Sequence, residues 1–599
     1  MAKQIRKNSK RKLGLRVMQT RLRRRANSIE KLAGKHQRAF FASRLDSLRN
    51  SRRDILVWLT MLVIVAAALF TQSCLNFKNY QTIAPAGGGT YAEGVIGDIV
   101  NINPLFAQTE NELATSQLVY GSLLNYDSSN RLRGDIAANF AVSSDGLNYD
   151  VKLRQGITWQ GTEQAVTADD VIFTTQMITD PTVASPLYST WRNVKVEKTG
   201  NYSVRFTLRS PLASFPQALT FGILPKYQLD TITPADLREY VSEHPAVGTG
   251  PYEYLLATGN NGEKTLSFLA NPQYFRGAPN IKNLYIKSYS NVDKLFTGVE
   301  NGEVNGAVGL SLDNVRELTN AKTGIVTPIA LDSGVYAIFN MSSTSIMSDK
   351  TVRTALRLAT DRPEIIKTVA LDGATPPSEL NGPIALGIYA SVDAIKQPNF
   401  DLNAAKSALD AAGWVLGSDG IRARGDQRLT LSLVALAGSD YEKVANQLAE
   451  QWRQIGVDVQ ITLADPSNIQ QNYLVPRAYD VLIHQFQLGP DPDVYEYWHS
   501  SNIQPSRLNF ANYKSAVADL ALFNGRTALD SATREAKYKT FVETWLNDIP
   551  AIALYRPNLN YWHSSNVNLS FTAPLADELD RYRDIRNWTV DTRTVFKTP

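Results

Sequence analysis

Catalysis in a chain of 599 residues would need nucleophiles, bases or metal ligands at workable spacing, and this sequence offers few of them. The five histidines, His36, His244, His484, His499 and His563, form no HExxH pair, and the one cysteine, Cys74, lies far from all of them. No G-x-S-x-G elbow occurs. The run Gly259-Asn260-Asn261-Gly262-Glu263-Lys264-Thr265 has the composition of a phosphate loop, but its spacing is wrong and Glu263 intervenes, so it predicts a hairpin turn. The acids of Pro490-Asp491-Pro492-Asp493, with Glu496, could meet a cation. They lack the third ligand and the glycine of an EF-hand loop, which favours a turn that positions its neighbours. Just beyond it, Tyr495, Tyr497 and Trp498 stand beside His499-Ser500-Ser501-Asn502. That mixture of aromatic surface and hydrogen-bonding groups is what a ligand site requires, and the same aromatics would serve equally well as core packing.

The elements that must carry these residues alternate in type. Residues 149–153 and 202–208 alternate apolar and polar side chains as half-buried strands do. Helical periodicity runs over 403–412, 441–455 and 532–547, and strand-like runs such as 457–461 follow. This alternation predicts α/β lobes with helices covering a sheet. A chain of this length is too long for one simple core, and about 500 residues imply two or three lobes.

Ahead of those lobes, Ile55 to Leu75 carries no charge over 21 residues, enough to span a bilayer as one helix. Residues 1–54 hold 18 Lys/Arg against three acids, which predicts that this end stays cytoplasmic and the large domain lies outside. Net charge is +5 for the chain and 18 − 3 = +15 for that arm, leaving the remainder near −10, so a basic domain that binds nucleic acid is not supported for the outer part. The arm itself, with RLRRR at 21–25, reads as a positive-inside flank, with anionic lipid or RNA as other partners, and 28–53 has helical spacing suited to the inner leaflet. A cleaved signal peptide would have a shorter leader and a shorter apolar core. A lipoprotein signal would use Cys74, but Thr71-Gln72-Ser73 is a poor lipobox, so an uncleaved signal-anchor is expected. Residues 76–90, with Pro85 and three glycines, predict a linker, and a single cysteine excludes an intrachain disulfide.

From about Gly88 to Asn587 the chain resembles the family 5 extracellular solute-binding proteins, the oligopeptide, dipeptide and nickel-type receptors of ABC importers. The resemblance rests on ordered motifs: Asn103-Pro104-Leu105-Phe106, Leu118 to Asp127, and Ser144 to Tyr149 leading into Leu153 to Trp159. Thr167-Ala168-Asp169-Asp170-Val171 follows, with Thr167 placed as an N-cap. The most specific is Val247-Gly248-Thr249-Gly250-Pro251-Tyr252 before Asn271 to Gly277, where the glycines suit a tight backbone crossing between lobes. Later matches are Phe339-Asn340, Val352-Arg353, Ala359 to Arg362, Ala411 to Trp414, Ile455-Gly456-Val457 and Ile549 to Ile552.

The resemblance implies a two-lobed periplasmic-binding-protein type II-like flytrap with an extra inserted small domain, here preceded by one transmembrane helix. The expected divisions are a basic cytoplasmic arm (1–54), anchor (55–75), linker (76–90), first lobe (91–130), inserted domain (131–244), first lobe again (245–335), second lobe (336–555) and a return to the first lobe (556–599). It further implies a peptide or similar small polar solute between the lobes, permease and ATPase subunits as partners, and no cofactor. In peptide-binding members an aspartate before a Pro-Asp-Pro-like turn pairs with the ligand's amine; here Leu488 or Gly489 occupies that place. Asp491 by a shifted register, or Glu110, is then the expected counter-charge. By position Gln485, Gln487, Trp498, Asn509 and Tyr555 are expected to line the cleft, with Trp498 stacking on the ligand. A second reading is a membrane sensor signalling through the basic arm, although no kinase, methyl-accepting or coiled-coil segment lies there; an enzyme is the third.

Overall fold

The computed structural model describes residues 52–596 except 86, 128, 245–246, 261–262, 322–323, 343–344, 572–573 and 591. The basic arm to residue 51, and with it most of the inner-leaflet helix expected over 28–53, lies outside the described residues, as does the Cys74 side chain. The chain divides into two compact units, 1–84 with 593–599, and 85–592.

In the first unit a helix runs Arg52–Tyr80 and contains the whole apolar segment. Its side chains are described over 56–72, where every one is exposed, among them Trp58, Leu62 and Phe70. No helix within the fully described residues is long and apolar enough to cross a membrane.

The second unit is built on three main sheets. The first lobe has a seven-stranded sheet, in the order 325–330, 558–563, 306–307, 90–96, 283–289, 263–270, 252–260. The second lobe has a six-stranded sheet, in the order 378–379, 551–556, 333–339, 481–487, 430–436, 458–464. A four-stranded antiparallel sheet of 137–142, 148–153, 203–207 and 195–200 shares one continuous apolar core with the first lobe, where Tyr149, Trp191 and Phe206 join Tyr91, Leu284 and Trp588. The second lobe has separate cores on the two faces of its sheet. Its central strand Ser333–Phe339 is therefore buried at every position, as a strand covered on both faces must be.

Local sequence explains the elements. Helix Ala168–Thr179 starts at Thr167, whose side chain accepts the Asp169 amide while Asp170 accepts the Thr167 amide, a capping box. Helix Tyr441–Arg453 buries Val444, Ala445, Leu448, Ala449 and Trp452, one face at helical spacing. The expected helices at 403–412 and 532–547 form over Leu402–Ala411 and Ser531–Asp548. Strands Tyr252–Asn260 and Glu263–Ala270 pair antiparallel with Asn260 opposite Glu263, so the pseudo-phosphate loop is a hairpin.

The glycine motif is tight for a different reason from the one expected. A Cβ on Gly248 would lie 1.9 Å from the Val119 carbonyl oxygen, and one on Gly250 would lie 2.5 Å from that of Leu118. Between them Thr249 is buried and its hydroxyl accepts the Gly121 amide. The close approach is to the end of helix Glu110–Val119 inside the first lobe, not a crossing between lobes.

The chain passes between the two large sheets at 331–332 and at Pro557, and Asp332 ties these crossings together. Its carboxyl accepts from Arg556 on one oxygen and from the Asn130 amide on the other. Its carbonyl oxygen accepts the amides of Leu488 and Gly489, each at 2.9 Å.

Candidate ligand-binding cleft

Strand Val481–Gln487 of the second lobe faces the gap between lobes, and its alternation sorts its side chains. Phe486 packs inward against Tyr336 and Trp498, while Gln485 and Gln487, two residues apart, point into the gap. Gln487 lines a cavity of about 320 Å³ with Gln117, Tyr126, Tyr497, Asp577 and Asp580. Gln485 lines a second, of about 700 Å³, with Tyr441, Tyr555, Asn558 and Glu578. The turn 577–580 thus separates two chambers that draw walls from both lobes.

The lips of the gap are held together. On one side Lys443 of the second lobe meets Asp313 of the first at 3.0 Å, and Arg316 donates to the Ala370 carbonyl at 3.0 Å. On the other, Ser214 donates to Asp493 at 2.9 Å and the Ala213 amide to the Arg526 carbonyl at 2.8 Å.

Two carboxylates of the second lobe, Asp491 and Asp493, are already engaged. Asp491 receives both terminal nitrogens of Arg534, at 3.1 and 2.8 Å, and accepts the Asp493 amide at 3.0 Å. Asp493 pairs with Arg526 at 3.1 Å. The Pro490–Asp493 run is therefore a turn clamped by two arginines, and Asp491 reaches the smaller cavity with its charge matched. Among the described residues no group of three or more His, Cys, Asp or Glu is arranged to hold a metal. His484 is packed edge-on against Phe486 and Phe510, and burial lowers its pKa to about 4.

Three carboxylates on one turn of the first lobe are raised instead. The 3-10 turn Glu578–Tyr582 carries Glu578 and Asp580, with Asp577 as its N-cap. Burial, reinforced by the charge of Glu110, pushes the Asp577 and Glu578 carboxyls up to about 7; burial pushes Asp580 up to about 6, against the opposing pull of Arg583. Behind the turn Arg581, 2 % exposed, donates from Nε to Glu93, 0 % exposed, at 2.8 Å. Tyr91 and Tyr582 also donate to that carboxylate, at 3.2 and 2.5 Å, and Tyr561 joins them. This buried network fixes the turn from its core side.

The expected site residues separate accordingly. Glu110 is exposed at the start of helix Glu110–Val119, close enough to Asp577, Glu578 and Tyr441 to raise their pKa values. Gln485, Gln487 and Tyr555 line the cavities. Trp498 does not: it is fully buried in the second lobe, its ring edge-on to Tyr336 and Trp545 at 5.9 and 5.3 Å. Asn509 is fully buried too, its amide donating to the His499 and Tyr513 carbonyls at 3.1 and 3.0 Å. Both stabilise the core below the cleft instead of lining it. Leu488 is buried, so no charge stands where the family aspartate was sought. The acids at 577, 578 and 580 escaped sequence reading because Ala576-Asp577-Glu578-Leu579-Asp580-Arg581-Tyr582-Arg583-Asp584 resembles an ordinary solvated charge run. Its one signal was three acids within four residues in a segment expected to return to the first lobe.

The family profile described as bacterial extracellular solute-binding proteins, family 5 Middle, matches residues 131–506. The oligopeptide-binding protein AppA of Bacillus subtilis is 28% identical over 525 residues, covering 85% of this chain and 94% of that protein. The glutathione-binding protein GsiB of Escherichia coli is 25% identical over 519 residues, covering 84% and 94%. Among solved structures, Bacillus subtilis AppA in complex with a nonapeptide superposes with a TM-score of 0.66 at 25% identity, covering 84% of this chain and 99% of that one. NikZ of Campylobacter jejuni with Ni(L-His) gives a TM-score of 0.70 at 23% identity, covering 84% and 99%.

Proposed function

The chain belongs to the family 5 bacterial extracellular solute-binding proteins, the solute receptors of ABC importers, and from that premise we propose that it captures a peptide between its lobes and passes it to a permease while tethered by its own N-terminal helix. Its relatives are receptors and not enzymes.

The observation that carries the peptide reading is the pair of chambers along one face of strand 481–487, divided by the turn 577–580. A chain segment lying along the gap would meet Gln485 in one and Gln487 in the other, with amide groups suited to peptide N–H and C=O. The oligopeptide and glutathione receptors among its relatives support this ligand class over a bare ion. The division into an arm, an anchor, a linker, two lobes and a domain inserted over 131–244 belongs to the same reading, with the hinge at the crossings tied by Asp332. Of the expected ligand contacts, Glu110, Gln485, Gln487 and Tyr555 remain proposed; Asp491 is proposed to shape the wall through its pairing with Arg534.

The tether is supported by the 29-residue helix Arg52–Tyr80 and by the exposure of its apolar side chains over 56–72, which water alone would not favour. The arginines and lysines before it would hold the N-terminus inside.

Mass spectrometry of ligand released from the purified full-length chain tests the first part: peptides are expected, and a metal chelate or sugar in their place overturns it. For the tether, the intact mass of the membrane fraction should match a chain that retains residues 1–75. A chain starting at residue 74 or later, with or without lipid on Cys74, refutes it.

A further inference from the structure

We infer that Asp332 is a positioning residue for ligand capture: it holds the walls of the smaller chamber and both interlobe crossings at one angle, with Asn130 as its partner on the first lobe. This rests on the reading of the interlobe gap as the ligand site, and it names the residue that sets how far the gap closes.

Asp332 lies on the first crossing, between strands 325–330 and 333–339, and is 8 % exposed. It lines neither cavity. Each of its polar groups is nonetheless bound to a segment that lines one. Its amide donates at 2.7 Å to the carbonyl of Leu575, next to Ala576 and Asp577 in the wall of the smaller chamber. Its carbonyl oxygen accepts the amides of Leu488 and Gly489, which line the same chamber from the second lobe. Gly489 has φ 62°, a left-handed turn that lets two successive amides converge on one acceptor. The Asp332 carboxyl accepts from Arg556, one residue before the second crossing. Beside it the Leu331 amide donates to the Pro557 carbonyl at 3.1 Å, and these two residues line the larger chamber.

Asn130 completes the arrangement from the first lobe. Its backbone is left-handed, with φ 58°, a conformation asparagine tolerates better than most residues. Its side-chain nitrogen donates to the Asp332 carboxyl and its side-chain oxygen accepts from Arg583 at 3.2 Å. The turn that carries Asn130 follows Asn125 and Tyr126 of the smaller chamber, and the Arg583 amide donates to the carbonyl of Asp580 in the same wall.

Opening the gap has to carry Leu488 and Gly489 away from Asn130. Asp332 is bound to both, so a change of angle strains or breaks one set of bonds. Hydrogen bonds to a buried charged group are among the stronger ones, whereas the Lys443–Asp313 pair at the lip is screened by solvent. The closed angle is therefore favoured before a ligand arrives, and the ligand meets chambers already shaped.

The test measures the distance between two spin labels by pulsed electron resonance on the full-length chain in detergent. The labels sit at Glu300→Cys and Glu450→Cys, exposed on a helix of each lobe, in a Cys74→Ser background. Ligand-free protein with Asp332 and Asn130 intact should give one narrow distribution. Asn130→Gly keeps the left-handed turn and removes the amide bridge. It should give a broader distribution with a longer mean, which saturating trialanine narrows again, and trialanine affinity should fall about tenfold. Asp332→Ala should widen the distribution further; if it shows no cooperative thermal transition, Asn130→Gly decides alone. An Asn130→Gly chain that melts earlier with unchanged distances has lost only a structural bond, and overturns the assignment. Trialanine that binds neither form counts against the peptide reading, and the ligand-free distances still decide the role of Asp332.

Discussion

The two walls of the cleft carry the same chemical groups in opposite states. On the second lobe Asp491 and Asp493 each face an arginine, and burial there is offset by charge-assisted hydrogen bonds. On the first lobe burial, with the like charge of Glu110, pushes the Asp577 and Glu578 carboxyls up to about 7, for Glu578 against the pull of Arg581. A matched carboxylate gives a wall its shape. One raised by burial and a like charge ties the stability of the fold to pH instead.

The sharpest way to break this contrast is to unmatch the second lobe. Arg534→Met leaves Asp491 enclosed without its partner, since the two side chains are only 12 % and 14 % exposed. Chemical denaturation should show a loss of about 3–5 kcal/mol. A loss below about 1 kcal/mol would mean that the pair does not organise that wall.

Neutralising the first lobe should act in the other direction. Asp577→Asn with Glu578→Gln should raise the stability of the ligand-free protein at pH 8 by about 1–2 kcal/mol, and change it little at pH 4. The sign follows from proton binding. The unfolded chain releases these protons near the ordinary carboxylate values of 3.8 and 4.5, whereas the folded chain keeps them to about 7. Between those limits the folded state binds more protons, so wild-type stability should fall as pH rises from about 4 to 7, and the double variant should show a flatter profile. Thermal melts across that range decide it; a wild-type profile that rises through this window would show these carboxyls to be matched after all.

The smallest effect belongs to the lip. Lys443→Ala removes an ion pair whose partners are 31 % and 70 % exposed, and should cost well under 1 kcal/mol of stability. Ligand affinity should drop by about two- to threefold, because the pair exists only where the lobes meet. An unchanged affinity would assign closure to the ligand and the opposite lip alone.

Much of the scaffold was legible beforehand because its causes are local. Thr167 caps its helix through atoms two and three residues away, and the 441–453 helix follows from apolar spacing. The cleft was legible in part. Alternation along 481–487 placed Gln485 and Gln487 on one face, whereas nothing in four residues of helix, Tyr495–Trp498, told which way Trp498 would turn. It turned inward, where Tyr336 and Trp545 offered more apolar contact than the gap did.

By itself the sequence determined the α/β lobes, the capped helices, the hairpin at 259–265, the family and the apolar helix ahead of them, since each depends on sterics, periodicity or motifs read along the chain. Only the tertiary structure decided which acids are matched by an arginine and which are raised by burial and a like charge. Glu93 and Arg581 are 488 positions apart, and Asp491 meets an arginine 43 positions away. Coulomb energy and desolvation depend on distance in space and on what has been excluded from the surroundings, and neither is written in the order of the residues.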